Sequence, residues 1–133
     1  MASSLTAALL DTSVVIAGIE RFATVPEEMA ISTITLGELR AGVLLAGDPS
    51  ERASRQRRLN AVRDAFEPIH VDETVAERYG DVLAAARSAG RTTKATDLLI
   101  IATAAATGRL LLTLDASQAA LARAVGVPVA PTG

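Results

Sequence analysis

The stretch DLLIIATAAATGRLLLTLD, residues 97–115, decides the fold class. Its first part, residues 97–108, is apolar on all sides and ends in Gly108, which predicts a short helix buried against a sheet. Its second part, residues 109–114, is an almost continuous apolar run of strand length, as found in a parallel sheet covered on both faces. A buried helix followed directly by a buried strand is typical of an α/β protein.

The same alternation of strands and helices extends along the rest of the chain. A helix is predicted over residues 73–89, where an apolar stripe repeats at helical spacing before Gly90, and residues 47–50 (GDPS) predict a turn between two helices. The strand candidates are residues 7–11, 29–34, 68–72, 109–114 and 127–130. We therefore expect a single α/β domain over residues 1–133, a sandwich built on a mainly parallel sheet.

Composition excludes several classes of protein. The chain has no Cys, which rules out disulfides and thiolate metal sites and suits a reducing compartment. The N-terminal sequence lacks the pattern of a secretory signal, and the longest apolar run, residues 98–107, is too short to span a bilayer. We expect a soluble, cytoplasmic protein with no membrane partner. Its net charge of −2 means that any binding of nucleic acid depends on a local basic patch.

Acidic residues follow or flank the predicted strands. Asp11 and Asp115 each come directly after an apolar strand, and Asp97 opens the buried helix. Ligands of open α/β sheets bind outside the carboxyl ends of the strands, so these side chains can converge there. The alternative for each of the three is helix capping, because Asp is a favoured N-cap residue.

Glu38 does not fit the capping alternative. It lies inside the apolar stretch ITLGEL, residues 34–39, where no cap is needed and an unpaired carboxylate would be costly to bury. Four converging carboxylates would repel one another, and Arg40 and Lys94 are the only basic residues close to them in sequence. A hard divalent cation with oxygen ligands, Mg²⁺ or Mn²⁺, is the simplest way to relieve that repulsion.

Three segments together carry a resemblance to a known family. In the order LLDTSVVIAG, ISTITLGELRAG and TDLLIIATAAATGRLLLTLD, they resemble the PIN-domain ribonucleases, in particular the small VapC toxins of bacterial toxin–antitoxin pairs. The resemblance covers nearly the whole chain. It implies a PIN-like α/β/α sandwich with a five-stranded sheet of order 3-2-1-4-5, an RNA substrate, a homodimer and a cognate VapB-like antitoxin.

The resemblance also assigns roles to residues. It implies that Asp11, Glu38, Asp97 and Asp115 are the acidic catalytic and metal-binding set, and that hydroxyls near the metal come from Thr12, Ser13 and Thr113. The corresponding hypothesis is a Mg²⁺-dependent endoribonuclease in which Asp11 and Asp97 hold the ion and an activated water attacks the phosphate in line. One departure is that Ser117 stands where many relatives carry a further acid two positions after the last.

Basic residues provide candidate contacts to RNA. Arginine grips phosphate through paired donors, and residues 51–63 hold five of them. The alternative is a solvated helix, because these side chains point in several directions. The candidates for RNA binding are Arg52, Arg55, Arg57, Arg58, Arg91 and Lys94.

Two rival functions and one lone side chain complete the sequence-based hypotheses. Asp11 could be the nucleophile of a haloacid-dehalogenase-like phosphotransferase, although Ser13 takes the position of the second acid expected there. The chain could also be a degenerate PIN module that only binds. The single histidine, His70, has no partner at useful spacing, which favours a structural or interfacial role over a catalytic one.

The apolar side chains flanking the acids could form a groove for the helix of an inhibitory partner, with an Arg of that partner reaching the carboxylates. The alternative is that all of them belong to the core. The candidates are Val15, Ile16, Ile19 and Phe22 on the first helix, and Leu39, Val43 and Leu44 on the second.

Overall fold

A computed structural model describes residues 7–132. Its centre is a parallel sheet of three short strands, β1 (Ala7–Leu10), β2 (Glu28–Ala30) and β3 (Leu110–Leu112), in the order β2-β1-β3. The pairing places Leu9 beside Ala30 on one side and beside Leu111 on the other. All three strands therefore end at the same edge of the sheet, which is where the first functional candidate, Asp11, is found.

Six helices surround the sheet in the described part of the chain. They are α1 (Thr12–Ala17), α2 (Thr33–Leu44), α3 (Pro49–Ala65), α4 (Glu73–Ser88), α5 (Ala95–Thr107) and α6 (Ala116–Ala124). None of these helices combines the length and the apolar composition that crossing a bilayer requires.

The strands bury opposite faces in two separate cores, because side chains alternate along a strand. Leu9 and Leu111 pack with α4, α5 and α6, whereas Leu10 and Leu112 pack with α1, α2 and α3. The helix α5 is buried over most of its length, as its apolar sequence predicts. This arrangement is the predicted three-layer α/β/α sandwich.

The prediction of five strands is wrong, because residues 7–132 form a sheet of three. The two outer candidates are reduced to single bridges, Ser32 with Ile69 and Leu111 with Val129. Both bridges lie on the outer side expected for the order 3-2-1-4-5. The first bridge ends where α2 begins, since Thr33, whose N–H donates to the carbonyl of Ile69, is the first residue of that helix. At the second bridge the carbonyl of Pro128 accepts the N–H of Leu111, but a proline has no N–H with which to extend the pairing backwards.

Helix starts also differ from those predicted. Residues 33 and 34, placed in the second strand by their apolar pattern, begin α2 instead, because the Ser32 hydroxyl accepts the N–H of Ile34 (3.0 Å) and caps the helix. The first turn of α5 begins at Ala95, two residues before Asp97. The turn at residues 47–50 and the helix after residue 72 agree with the sequence, with Asp48 and Asp72 as N-caps.

Candidate active site

Asp11 ends the central strand. Its N–H donates to the carbonyl of Leu112 (2.9 Å), so β1 and β3 end together. The side chain is only 4% exposed, and its Oδ2 accepts hydrogen bonds from Ser13 Oγ and Thr113 Oγ1, both at 2.8 Å. Asp11 occupies the N-cap position of α1 but its side chain makes no capping hydrogen bond. The capping alternative therefore does not account for this carboxylate, whose Oδ1 accepts nothing from residues 7–132.

The two hydroxyls that hold Asp11 also fix the segment after β3. Ser13 Oγ accepts the N–H of Leu114 (3.1 Å), and Thr113 Oγ1 accepts the N–H of Asp115 (3.1 Å). Each hydroxyl thus accepts a backbone hydrogen bond and donates to the same carboxylate oxygen. This cross-link sets the orientation of Asp11 relative to Asp115.

Asp97 lies in the first turn of α5, and the N-cap of that helix is Lys94. The expectation that Asp97 caps the helix is therefore wrong. Burial raises the pKa of the Asp97 carboxyl above its ordinary value, and the negative charge of Asp11 raises it as well. Lys94 acts in the opposite direction, while Glu38 and Asp115 raise this pKa further. The other three predicted acids therefore lie close enough to Asp97 for their charges to act on it.

Glu38 enters the site from α2. Its Oε1 accepts a hydrogen bond from Thr12 Oγ1 (2.5 Å), and Thr12 Oγ1 also pairs with Thr35 Oγ1 (3.0 Å). Thr35 is fully buried and was not identified from the sequence. Its position three residues before Glu38, on the same face of the helix, is the signal that could have identified it.

Asp115 is the one acid of the set for which the capping alternative holds. Its Oδ1 accepts the N–H groups of Ser117 (2.9 Å) and Gln118 (3.1 Å) at the start of α6. Gln118 is another contributor that the sequence did not reveal. It is 3% exposed, and its side-chain amide donates to the Asp97 carbonyl at 3.4 Å, which ties α6 to α5.

The donor groups suit a hard divalent cation. Within residues 7–132, no three Asp, Glu, His or Cys side chains are arranged closely enough to form a complete protein cage for an ion. Mg²⁺ does not require such a cage, because it is commonly bound by one or two carboxylates together with waters and substrate phosphates. The chemistry of the carboxylates fits such an ion, and so does the raised pKa of Asp97, which is caused by its burial and by the negative charges of the neighbouring carboxylates.

Two of the candidate RNA-binding arginines lie near this edge. Arg58 lines a cavity of about 220 Å³ that Glu38 and Ile16 also line. Arg55 lines the same cavity, but its Nη1 donates to the carbonyl of Gly42 (2.7 Å) and its guanidinium pairs with Glu51. Arg58 is therefore better placed than Arg55 to meet a substrate phosphate.

The remaining basic candidates are spread over the surface. Arg52 and Arg57 are exposed on α3 and do not line the cavity beside Glu38. Arg91 lines a separate cavity with Arg87, and Lys94 is exposed next to Asp97. The predicted basic set is therefore not a single patch.

The proposed partner groove divides into core and surface. Phe22, Leu39 and Val43 are buried. The prediction that Ile19 and Phe22 lie on the first helix is wrong, because α1 ends at Ala17. Ile16 is 52% exposed and Leu44 58% exposed. Val15 and Ile19 are partly buried against the core. Outside this groove, the single histidine, His70, is exposed.

The PIN domain family model matches residues 8–132. Ribonuclease VapC4 of Mycobacterium tuberculosis is 40% identical over 119 residues, covering 86% of this chain and 90% of the relative. Ribonuclease VapC5 of the same organism is 35% identical over 133 residues, covering 97% and 98%.

A solved structure also matches the fold. The crystal structure of VapBC-5, a member of the VapBC family of toxin–antitoxin systems from Mycobacterium tuberculosis, superposes with a TM-score of 0.85. It is 35% identical, and the match covers 96% of this chain and 99% of that one.

Proposed function

Because the chain belongs to the PIN-domain family and, within it, to the VapC ribonucleases, we propose that it is a metal-dependent endoribonuclease and the toxin of a VapBC-type pair. The observation that carries the proposal is the acidic edge of the sheet, where burial and neighbouring carboxylates raise the pKa of Asp97. An edge with that charge needs a cation before it can approach a phosphate.

Asp11 and Asp97 are the residues that would hold the ion, which we take to be Mg²⁺, with Mn²⁺ as the closest substitute. When bound, such an ion neutralises the phosphate and supplies an acidified water for in-line attack. Ser13 and Thr113 hold Oδ2 of Asp11, so Oδ1 is the oxygen of this carboxylate that would be available to an ion. The role of these hydroxyls is to fix the direction in which the carboxylate points.

Glu38 and Asp115 would act on water rather than complete a cage. Thr12 holds Oε1 of Glu38, so Oε2 is the oxygen that can accept a proton or orient the attacking water. The cap bonds of Asp115 occupy Oδ1 and leave Oδ2 for a similar role. Arg58, which shares a cavity with Glu38, would hold a phosphate of the RNA beside the site.

The rival functions have less support. A phosphotransferase would use Asp11 as a nucleophile, yet its Oδ2 is engaged by two hydroxyls and Ser13 stands where that chemistry needs a second acid. A degenerate binding module would not need to retain Asp11, Glu38 and Asp115 close enough to influence the pKa of Asp97.

The partner of a VapC ribonuclease is an antitoxin, and we propose where it acts on this chain. Ile16 and Leu44 are large exposed apolar side chains on α1 and α2, and Ile16 borders the cavity that contains Glu38. A partner helix packed on them could direct an Arg at the carboxylates. We further propose that the protein forms a homodimer and acts in the cytoplasm, where its RNA targets are.

Incubation of the purified protein with total cellular RNA, with and without Mg²⁺, tests the function. We expect discrete fragments only with Mg²⁺, and sequencing of the fragment ends would identify the cleaved RNA and its cut sites. Intact RNA in the presence of Mg²⁺ would contradict the proposed activity.

A further inference from the structure

A second cavity adjoins the acidic edge on the side away from Glu38. It has a volume of about 240 Å³, and the residues that line it include Asp115 and also Thr113, whose hydroxyl donates to Asp11. Glu38 belongs to the helix that follows β2, whereas these two residues follow β3. Because β1 lies between β2 and β3, Thr113 and Asp115 follow the strand on one side of β1, and Glu38 follows the strand on the other side.

The walls of this cavity differ in chemistry. Val129 and Ala130 provide an apolar wall, and Ala116 lies on the rim at the start of α6. Arg123, in the last turn of α6, is the one basic side chain among the residues that line it. An apolar wall beside a single cation suits a planar base attached to a phosphate.

The contacts described within residues 7–132 assign no structural role to Arg123. Within residues 7–132 its guanidinium takes part in neither of the two ion pairs, which join Arg55 to Glu51 and Arg109 to Glu28. It is exposed, so it is available to a ligand. A cation in the last turn of a helix also interacts favourably with the helix dipole, and that role would not depend on RNA.

We propose that this cavity holds the nucleotide next to the scissile phosphate, with its base against Val129 and Ala130 and a flanking phosphate on Arg123. The proposal rests on the ribonuclease function argued above. The volume of about 240 Å³ is below the roughly 300 Å³ at which pockets for drug-sized ligands begin, so the proposed occupant of the cavity is a single base, with its phosphate outside on the exposed Arg123. Arg58 and Arg123 then hold the RNA on the two sides of the acidic edge.

The test uses the full-length protein and an RNA oligonucleotide that spans a mapped cut site. Arg123→Gln removes the cation, and Ala116→Leu narrows the cavity from an exposed helical position, so neither change disturbs the core. Arg78→Gln, at an exposed position of α4, is the matched control. The measurements are kcat, KM, the salt dependence of binding, and the base preference on each side of the cut.

We expect Arg123→Gln to raise KM about tenfold with little change in kcat, and to reduce the slope of log binding constant against log salt by about 0.7, the value for one lost contact to a single strand. Ala116→Leu should change the base preference on one side of the cut only, and Arg78→Gln should behave like wild type. Unchanged KM, slope and base preference in a wild-type protein that cleaves would overturn the nucleotide site alone. A wild type that cleaves no RNA would overturn the ribonuclease function and the site with it.

Discussion

Three aspartates that occur in similar sequence contexts have different roles in the structure. Asp11 is oriented by two hydroxyls, Asp97 lies inside the first turn of α5, and Asp115 caps α6. The sequence predicts that all three lie near the end of a strand or helix. It could not separate capping from the other roles, because that choice depends on Thr113, which is distant in sequence and approaches Asp11 only when β1 and β3 pair.

Asp97→Asn should stabilise the metal-free protein at neutral pH. A carboxyl with a raised pKa binds its proton more tightly in the folded state, so the stability it contributes is complete below its ordinary pKa of 3.8 and is lost as the pH rises through the raised value. The Asp97→Asn variant has no ionisable group at this position, so its stability does not fall for this reason as the pH rises. Thermal melts in a chelator, from pH 4 to 8, should show a higher melting temperature for the variant than for wild type at neutral pH. The difference between the two melting temperatures should shrink toward pH 4.

Asp11→Asn is the natural comparison for that measurement. Its side chain accepts two hydroxyl hydrogen bonds, and those to a charged acceptor are worth about 1.5–3 kcal/mol, more than neutral ones. We therefore expect Asp11→Asn to melt below Asp97→Asn in the same buffers. The reverse order would mean that these hydroxyls do not depend on the charge of Asp11.

Thr113→Val tests the cross-link between the strand ends. The change keeps the shape of a side chain that is 4% exposed but removes the hydroxyl that donates to Asp11. Leaving that carboxylate with one donor fewer should lower the free energy of unfolding by about 1–3 kcal/mol in urea titrations. Thr107→Val is the control, since Thr107 is exposed and its hydroxyl bonds only to a carbonyl of its own helix. Equal losses in the two variants would contradict the role given to Thr113.

At the scale of elements, hydrophobic pattern predicted most of the architecture. The buried helix and strand of residues 97–115 are present, and the helix after residue 72 is close to its predicted bounds. The two outer strands are reduced to single bridges, because the start of α2 at Thr33 ends one pairing and Pro128, which has no N–H, limits the other. Helix starts shifted where a polar cap such as Ser32 overrides an apolar run.

The helix α3 carries a prediction about RNA contacts. Arg58 shares a cavity with Glu38, while Arg57, its neighbour in sequence, does not line that cavity. Arg58→Gln should weaken RNA binding and reduce the salt slope by about 0.7, whereas Arg57→Gln should leave both unchanged. Binding titrations of single-stranded RNA at several salt concentrations measure the difference. Equal effects of the two changes would indicate that α3 is only a nonspecific basic surface.

For the whole molecule, a net charge of −2 opposes the approach of RNA. Binding therefore depends on local cations, for which we propose Arg58, in the cavity that Glu38 also lines, and Arg123, in the cavity that Asp115 also lines. The sequence predicted the acids and a basic segment. It could not predict which arginines face the site, because Arg55 is instead committed to Gly42 and Glu51 by tertiary contacts.

Expression of the chain alone should arrest bacterial growth, because the proposed activity destroys cellular RNA. Co-expression of the antitoxin encoded with it should restore growth, and Asp97→Asn should be harmless at the same expression level. Growth curves with protein levels checked by immunoblot measure this. Normal growth with abundant soluble wild-type protein would contradict the toxin assignment.

The most direct test of the central claim is the rate at which the purified protein cleaves its mapped RNA oligonucleotide in Mg²⁺. Asp97→Asn should lose about a hundredfold or more of this rate. Asp81→Asn, the same change at an exposed position of α4, should cleave like wild type, and a chelator should stop both active proteins. Cleavage by Asp97→Asn at the wild-type rate, or cleavage that persists in the chelator, would contradict a metal-dependent site at this edge of the sheet.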